Sequence, residues 1–250
     1  MKILPALLGV VSLAAPLAVS ATWSVAKLDT ESKSIVVAGA SCSFMVFGIA
    51  AAVPGKGVAI VQAASNGEAR AYAAEKLGAD RPLAEILAHI SDVKNVAAAA
   101  AQQYALLSFS ESDKPLTFTG AEVTGWSGTK TGHDVSVQAN TMVGEDVVAA
   151  AFALMAEETT TETGLVTQAL RALRAGSNAG GDKRCGEATA SSAFVSLYRA
   201  DDNASMPYLN LVVYGIEAGT ENAVTYLESL LADWRARDTG NTSTQRFVVP

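Results

Sequence analysis

The chain has 250 residues, half of them apolar but only 6% aromatic, so one layered domain with a core of Ala, Val, Leu and Ile is the default reading. A formal charge of −7 and the lack of any basic run argue against nucleic acid as a partner, because phosphate backbones need a concentrated basic face.

The opening "MKILPALLGVVSLAAPLAVSA" carries one lysine, an apolar run, and small residues at Val19 and Ala21. It reads as a secretory signal over residues 1–21, cut between Ala21 and Thr22. The competing reading is a membrane anchor, but Pro5 and Pro16 interrupt the run, which is short for the ~20 residues a span needs. Secretion or residence in a periplasm is therefore expected, with no membrane attachment after cleavage.

"TWSVAKL", "DTESK" and "SIVVAGAS" predict a strand, a polar turn and a second strand, a hairpin beginning at Thr22. "VPGKG" punctuates the chain before a third strand, "VAIVQA". Ala69, Ala73 and Leu77 then recur at helical spacing, with Asn66 as N-cap and Gly78 near the stop, and "PLAEILAHI" continues as a second short helix. "VAAAAAQQ" has no decisive period and stays open between helix and connector. "YALLSF", "PLTFTG" and "DVSVQAN" read as strands, the last two separated by the glycine-rich "TGWSGTKTGH".

Residues 144–157 and 163–176 have the clearest helical patterns, the second with Leu165, Ala169, Ala172 and Leu173 on one stripe and Gly176 at the expected stop. "SSAFVSLYR" and "YLNLVVYG" follow as strands. Residues 220–237 form a last helix capped by Thr220, and residues 238–250 read as a polar tail. Strand runs separated by helices favour an α+β arrangement of antiparallel sheets covered by helices, with one domain over residues 22–237.

Four stretches, "TWSVAKLDTESKSIVVAGASC", "GWSGTKTGHDVSVQANTMVGEDVV", "AGGDKRC" and "PYLNLVV", together resemble the family known as domain of unknown function 1028. The resemblance runs in order from about Thr22 to Arg235. The chain departs from it at Ala139, where glycine is usual, and in "QAASNGEA". That family is similar to the N-terminal nucleophile hydrolases, which implies a four-layer αββα sandwich of two mainly antiparallel sheets and a catalytic first residue, here Thr22.

A threonine hydroxyl is a weak nucleophile until a base takes its proton. Cutting the Ala21–Thr22 bond would create that base, since an α-amine has an ordinary pKa of about 7.7–8.0. Such chemistry implies a small-molecule amide, lactam or peptide-like substrate and an acyl-enzyme intermediate. The competing class is a secreted ligand-binding protein of the same fold without catalysis.

Asn140 is a candidate oxyanion donor, and Gln138, two residues earlier on the predicted strand, shares its face. Either amide can instead tie down a turn. Asp182 follows a glycine pair and is positioned by the resemblance to orient the α-ammonium, while Arg184 can grip a substrate carboxylate. The alternative for this pair is an ordinary surface ion pair.

Ser41, Cys42 and Ser43 end the second strand beside Thr22, and Gln62 ends the third; all four are candidate pocket residues. Export makes a Cys42–Cys185 bridge available, worth about 5 kcal/mol in the chain-entropy treatment, but spacing leaves it open against two buried thiols. His89 and His133 read as structural or solvated. No metal cluster, Walker loop or dinucleotide fingerprint is present, so no cofactor is expected, and a homo-oligomer is among the assemblies the sequence allows.

Overall fold

A computed structural model describes residues 21–111, 113–159 and 161–237, together with the backbone of 244–248. The stretch read as a secretory signal lies, up to residue 20, outside the described residues.

Two strands, β1 (Thr22–Asp29) and β2 (Ser34–Ser41), form the expected hairpin, with the Asp29 carboxylate accepting from Glu31 N at 3.0 Å inside the turn. They are followed by β3 (Ala50–Val53) and β4 (Gly57–Ala63), then the helices α1 (Gly67–Gly78) and α2 (Leu83–Ile90). Next come β5 (Gln102–Ser108), β6 (Leu116–Thr119), β7 (Trp126–Thr131) and β8 (Val135–Met142), then α3 (Asp146–Met155) and α4 (Glu162–Asn178). The chain closes with β9 (Ser192–Tyr198), β10 (Leu209–Val213), α5 (Ala223–Arg237) and β11 (Thr244–Val248).

These elements build two sheets. One has seven strands in the order β11-β10-β9-β2-β1-β8-β7, and the other has four in the order β3-β4-β5-β6. Every pair is antiparallel except β10 with β11.

Alternation along the strands sorts side chains into three layers of core. Trp23, Val25, Val36 and Val137 pack against α3, α4 and α5. Ala26, Leu28, Ile35, Val37, Ile60 and Phe194 fill the space between the sheets. Ala59, Val61, Tyr104 and Leu106 pack against α1 and α2. The result is a four-layer αββα sandwich, in which β1 is an interior strand of the larger sheet, between β2 and β8.

Several expectations are corrected. Strand β3 lies in an alanine-rich segment that has little strand signal, and β7 occupies the glycine-rich stretch read as a separator; Gly128 is needed there because a Cβ would come within 2.8 Å of the Trp126 ring. The alanine run ends in a 3₁₀ turn at Ala99–Ala101 that leads directly into β5.

Gly176 does not stop α4, which continues to Asn178. It lets the helix approach β1, since a Cβ there would lie 2.8 Å from Trp23 Nε1. The cap of α5 is Asn222, whose side-chain oxygen accepts from Val224 N at 2.9 Å, whereas Thr220 bonds back to Glu217 O. The tail is not merely polar chain: β11 adds a parallel strand to the sheet edge by pairing Leu209 with Thr244 through Val213 with Val248. Residues 238–243 and 249–250 lie outside the described residues.

Candidate active site

Thr22 heads β1 and is paired on both sides, with Ser41 across one ladder and Asn140 across the other. It belongs to the alternation set of Ala26 and Leu28, so its side chain faces the gap between the sheets, at the end of the strand where that gap opens. There it borders a cavity of about 370 Å³ walled by Met45, Val46, Phe47 and Ile49 from the β2–β3 connection, and by Ala63, Ser65 and Arg70 near the start of α1. That volume is in the range of small-molecule sites.

The bond preceding Thr22 is closely held. The carbonyl oxygen of Ala21 accepts from Ser41 Oγ at 2.6 Å and from Arg184 Nη2 at 3.2 Å. Arg184 is in turn clamped by Asp182, whose carboxylate accepts from Arg184 Nη2 at 2.6 Å and from its Nε at 3.0 Å. Asp182 itself is wholly buried and also accepts from Cys42 N at 2.7 Å. A Cys42–Cys185 disulfide ties the end of β2 to the 3₁₀ turn Lys183–Ala188 that carries Arg184, which settles the cysteine pairing. The half-cystine sulfur is thus no thiol, and Cys42 serves the site through its backbone N–H.

Behind Thr22 lies a buried amide network that joins the sheets. Gln62 Nε2 on β4 donates to Asn140 Oδ1 at 3.1 Å, Gln103 Oε1 at 2.8 Å and Thr22 O at 3.3 Å, while its Oε1 accepts from Ser24 Oγ at 2.6 Å. Gln138 Nε2 donates to Ser24 Oγ at 2.8 Å and its Oε1 accepts from Ser136 Oγ at 2.9 Å. All of these groups are buried. Gln62, expected on the pocket wall, and Gln138, expected to share the face of Asn140, stand in this network: Gln138 ties β8 to β1, and Gln62 holds both against the second sheet.

The structure therefore gathers Thr22, Ser41, Asn140, Asp182 and Arg184 around one bond, with Cys42 next to them. Of the residues that line the cavity, Ser43 was expected there from its place after the second strand, whereas no signal was read at Ser65 or Arg70. For Arg70 one was available: a cation one turn into a helix whose Asn66 cap is followed by Glu68 sits against the positive end of the macrodipole. Neither histidine borders the cavity; His89 stacks on Tyr72 with ring centroids 3.8 Å apart.

At the far end of β1 a second cavity, of about 500 Å³, is bounded by Lys27, His133, Asp134 and Glu157. Lys27 Nζ donates there to Met155 O at 3.0 Å, Glu157 O at 2.7 Å and Gln168 Oε1 at 3.3 Å, closing the end of α3. Burial holds its ammonium below the ordinary lysine pKa against the pull of Asp134, whose carboxyl burial pushes up.

An αββα sandwich with a polar cluster at the head of an interior strand is the class this geometry defines. The profile of a family of unknown function, DUF1028, matches residues 22–222, and the chain belongs to that family. Its fold is similar to the crystal structure of protein SPO2555 from Silicibacter pomeroyi, of the same family, with a TM-score of 0.70 and 22% identity over 89% of this chain and 88% of that one. No curated protein matches the chain.

Proposed function

We propose that the protein is an exported amidohydrolase of the N-terminal nucleophile kind, with Thr22 as its catalytic residue once the Ala21–Thr22 bond has been cut. One observation carries this reading: Thr22 lies beside a cavity of ligand size with its own preceding carbonyl gripped by Ser41 and Arg184.

In the processed chain the α-amine takes the Thr22 hydroxyl proton while Oγ bonds to the substrate carbonyl carbon. The oxyanion needs a donor that is already in place. Asn140, directly across the ladder from Thr22, can offer its Nδ2, an uncharged amide donor held at the same end of the sheet as the nucleophile. Collapse breaks the C–N bond, and the α-ammonium gives its proton to the departing amine. Water then hydrolyses the acyl ester by the same route in reverse.

Ser41 Oγ and Arg184 Nη2, relieved of Ala21 O, are left next to the new amine. A guanidinium there favours the neutral, basic form of the amine, and Asp182 fixes its position. Asn140 and Thr22 thus act on the reacting atoms, whereas Asp182, Gln62 and Gln138 are positioning residues.

The test is a mature protein carrying Thr22→Ala, compared with wild type on a panel of acyl p-nitroanilides. Wild type should show turnover and a mass increase of one acyl group on the first residue, and the variant should lose both, with a rate reduction of at least about 10³-fold. Retained ligand affinity with no turnover in either protein would favour a binding protein of the same fold. A mature terminus at any residue other than Thr22 would remove the base and overturn the mechanism.

A further inference from the structure

The Thr22 cavity contains a cation whose placement is costly. Arg70 is the fourth residue of α1, and its backbone N–H closes the first turn on Asn66 O at 3.2 Å. Its guanidinium does not run away from the helix start: a Cβ built on Gly67 would come within 3.7 Å of Arg70 Nη2. A positive group is therefore held at the end of the helix that already carries positive partial charge, an arrangement that is unfavourable unless an anion is nearby.

Among the described residues, no carboxylate supplies that anion. Arg81, Arg171, Arg174, Arg184, Arg199 and Arg237 each meet an Asp or Glu and the exposed Arg235 meets Thr167, while in the Thr22 cavity the side-chain partner of Arg70 is the neutral Ser65, through Nη1 to Oγ at 2.5 Å. Glu68, two positions earlier, is exposed and points to a different side of the helix. Burial also lowers the guanidinium pKa, as desolvation without a counter-charge does. A guanidinium has five N–H donors in a planar fork, and one bond to Ser65 leaves most of that fork available.

Arg70 and Thr22 line the same cavity, whose other side chains are mostly apolar, Met45, Val46, Phe47, Ile49 and Ala63, with Ser43 and Ser65 beside them. A nucleophile, a mostly apolar lining and a forked cation in one cavity describe a ligand that is amide at one end, aliphatic in the middle and anionic at the other. We propose that Arg70 selects substrates whose acyl group ends in a carboxylate, so that the protein acts on monoamides of short dicarboxylic acids. The inference rests on the Thr22 reading for its chemistry, but the anion site itself does not need turnover.

The test uses the exported full chain, with binding measured on a Thr22→Ala background so that no ligand is consumed. Probes are the monoamides of succinate, glutarate and adipate, each against its uncharged diamide, by isothermal titration. At one chain length the monoamide should bind at least about tenfold tighter than the diamide, because a charge-assisted forked pair is gained. Arg70→Gln should abolish that preference, and Arg70→Lys, which keeps the charge and covers the case of a poorly folded Gln variant, should retain part of it.

Equal affinities, no binding of any monoamide at millimolar concentration, or a preference that survives Arg70→Gln would each overturn the proposal. The two readings fail separately. Wild type that hydrolyses the glutaryl and butyryl p-nitroanilides equally well retains the nucleophile and loses the anion site. A carboxylate preference abolished by Arg70→Gln, in a chain without turnover, does the reverse.

Discussion

Gln62 has no charge and is not on the wall of the Thr22 cavity, yet its one side chain satisfies Ser24, Thr22 O, Gln103 and Asn140 across three strands. Replacing it with leucine keeps the bulk and removes every one of those bonds, leaving a serine hydroxyl and two amide oxygens buried without that partner. An orphaned polar group in a dry layer costs about 1–3 kcal/mol. Gln62→Leu should therefore lower stability by on the order of 3 kcal/mol in urea unfolding, and should lower turnover even in the folded fraction, because Asn140 loses the bond that orients its amide. This residue also marks how far a sequence can be read. Alternation correctly puts Gln138 and Asn140 on one face, since that needs only the two-residue period of a strand. It does not say what stands opposite, and the partner of Asn140 lies 78 residues away on another sheet. Arg70 carries a sequence signal only through its place near the start of a capped helix, and it takes the fold to put it on the same cavity as Thr22.

The ends of β1 are finished differently, and Lys27 shows how the far end is closed. The last turn of α3 exposes carbonyl oxygens with no helical partner, and Lys27 Nζ supplies donors to Met155 O and Glu157 O from the adjacent strand. Lys27→Met should therefore cost about 1–3 kcal/mol at neutral pH by denaturant titration. The pH dependence follows from the direction of the shift. Because burial depresses the folded-state pKa below 10.5, the unfolded chain binds more protons between the folded value and 10.5. Wild-type stability should rise with pH across that window relative to Lys27→Met, and the advantage should fade as pH falls back through the folded pKa. A gap between the two proteins that narrows as pH rises from 8 to 10 would contradict this. Among the elements themselves, those with a strong period and ordinary caps were legible, as in α1 with its Asn66 cap. Those missed lacked a hydrophobic signature of their own: β3 is alanine-rich, β7 is glycine-containing and only half buried, and β11 is recruited by the sheet edge at β10.

At the scale of the whole molecule, the placement of β1 constrains when the chain can be processed. Proteases bind several residues on either side of the scissile bond in extended form, outside any sheet. Here the residues after the bond are an interior strand, paired with β2 on one side and β8 on the other. Ala21 is fully buried, and its carbonyl is engaged by Ser41 and Arg184. Releasing this segment would open both ladders and the inter-sheet network together, an event close in free energy to global unfolding. Cleavage between Ala21 and Thr22 must then happen while the chain is still unfolded, as during translocation, or not at all. A full-length chain refolded with its first 21 residues attached, and with the Cys42–Cys185 bridge formed, should resist cutting at this bond by added signal peptidase and should show no amidase activity. The same chain mixed with the peptidase in denaturant before refolding should be cut and become active, with both outcomes read by N-terminal sequencing and p-nitroanilide hydrolysis. Efficient cutting of the folded precursor would show that the head of β1 opens locally, and the interior-strand argument would fail. Processing would then be a control point after folding rather than a condition of it.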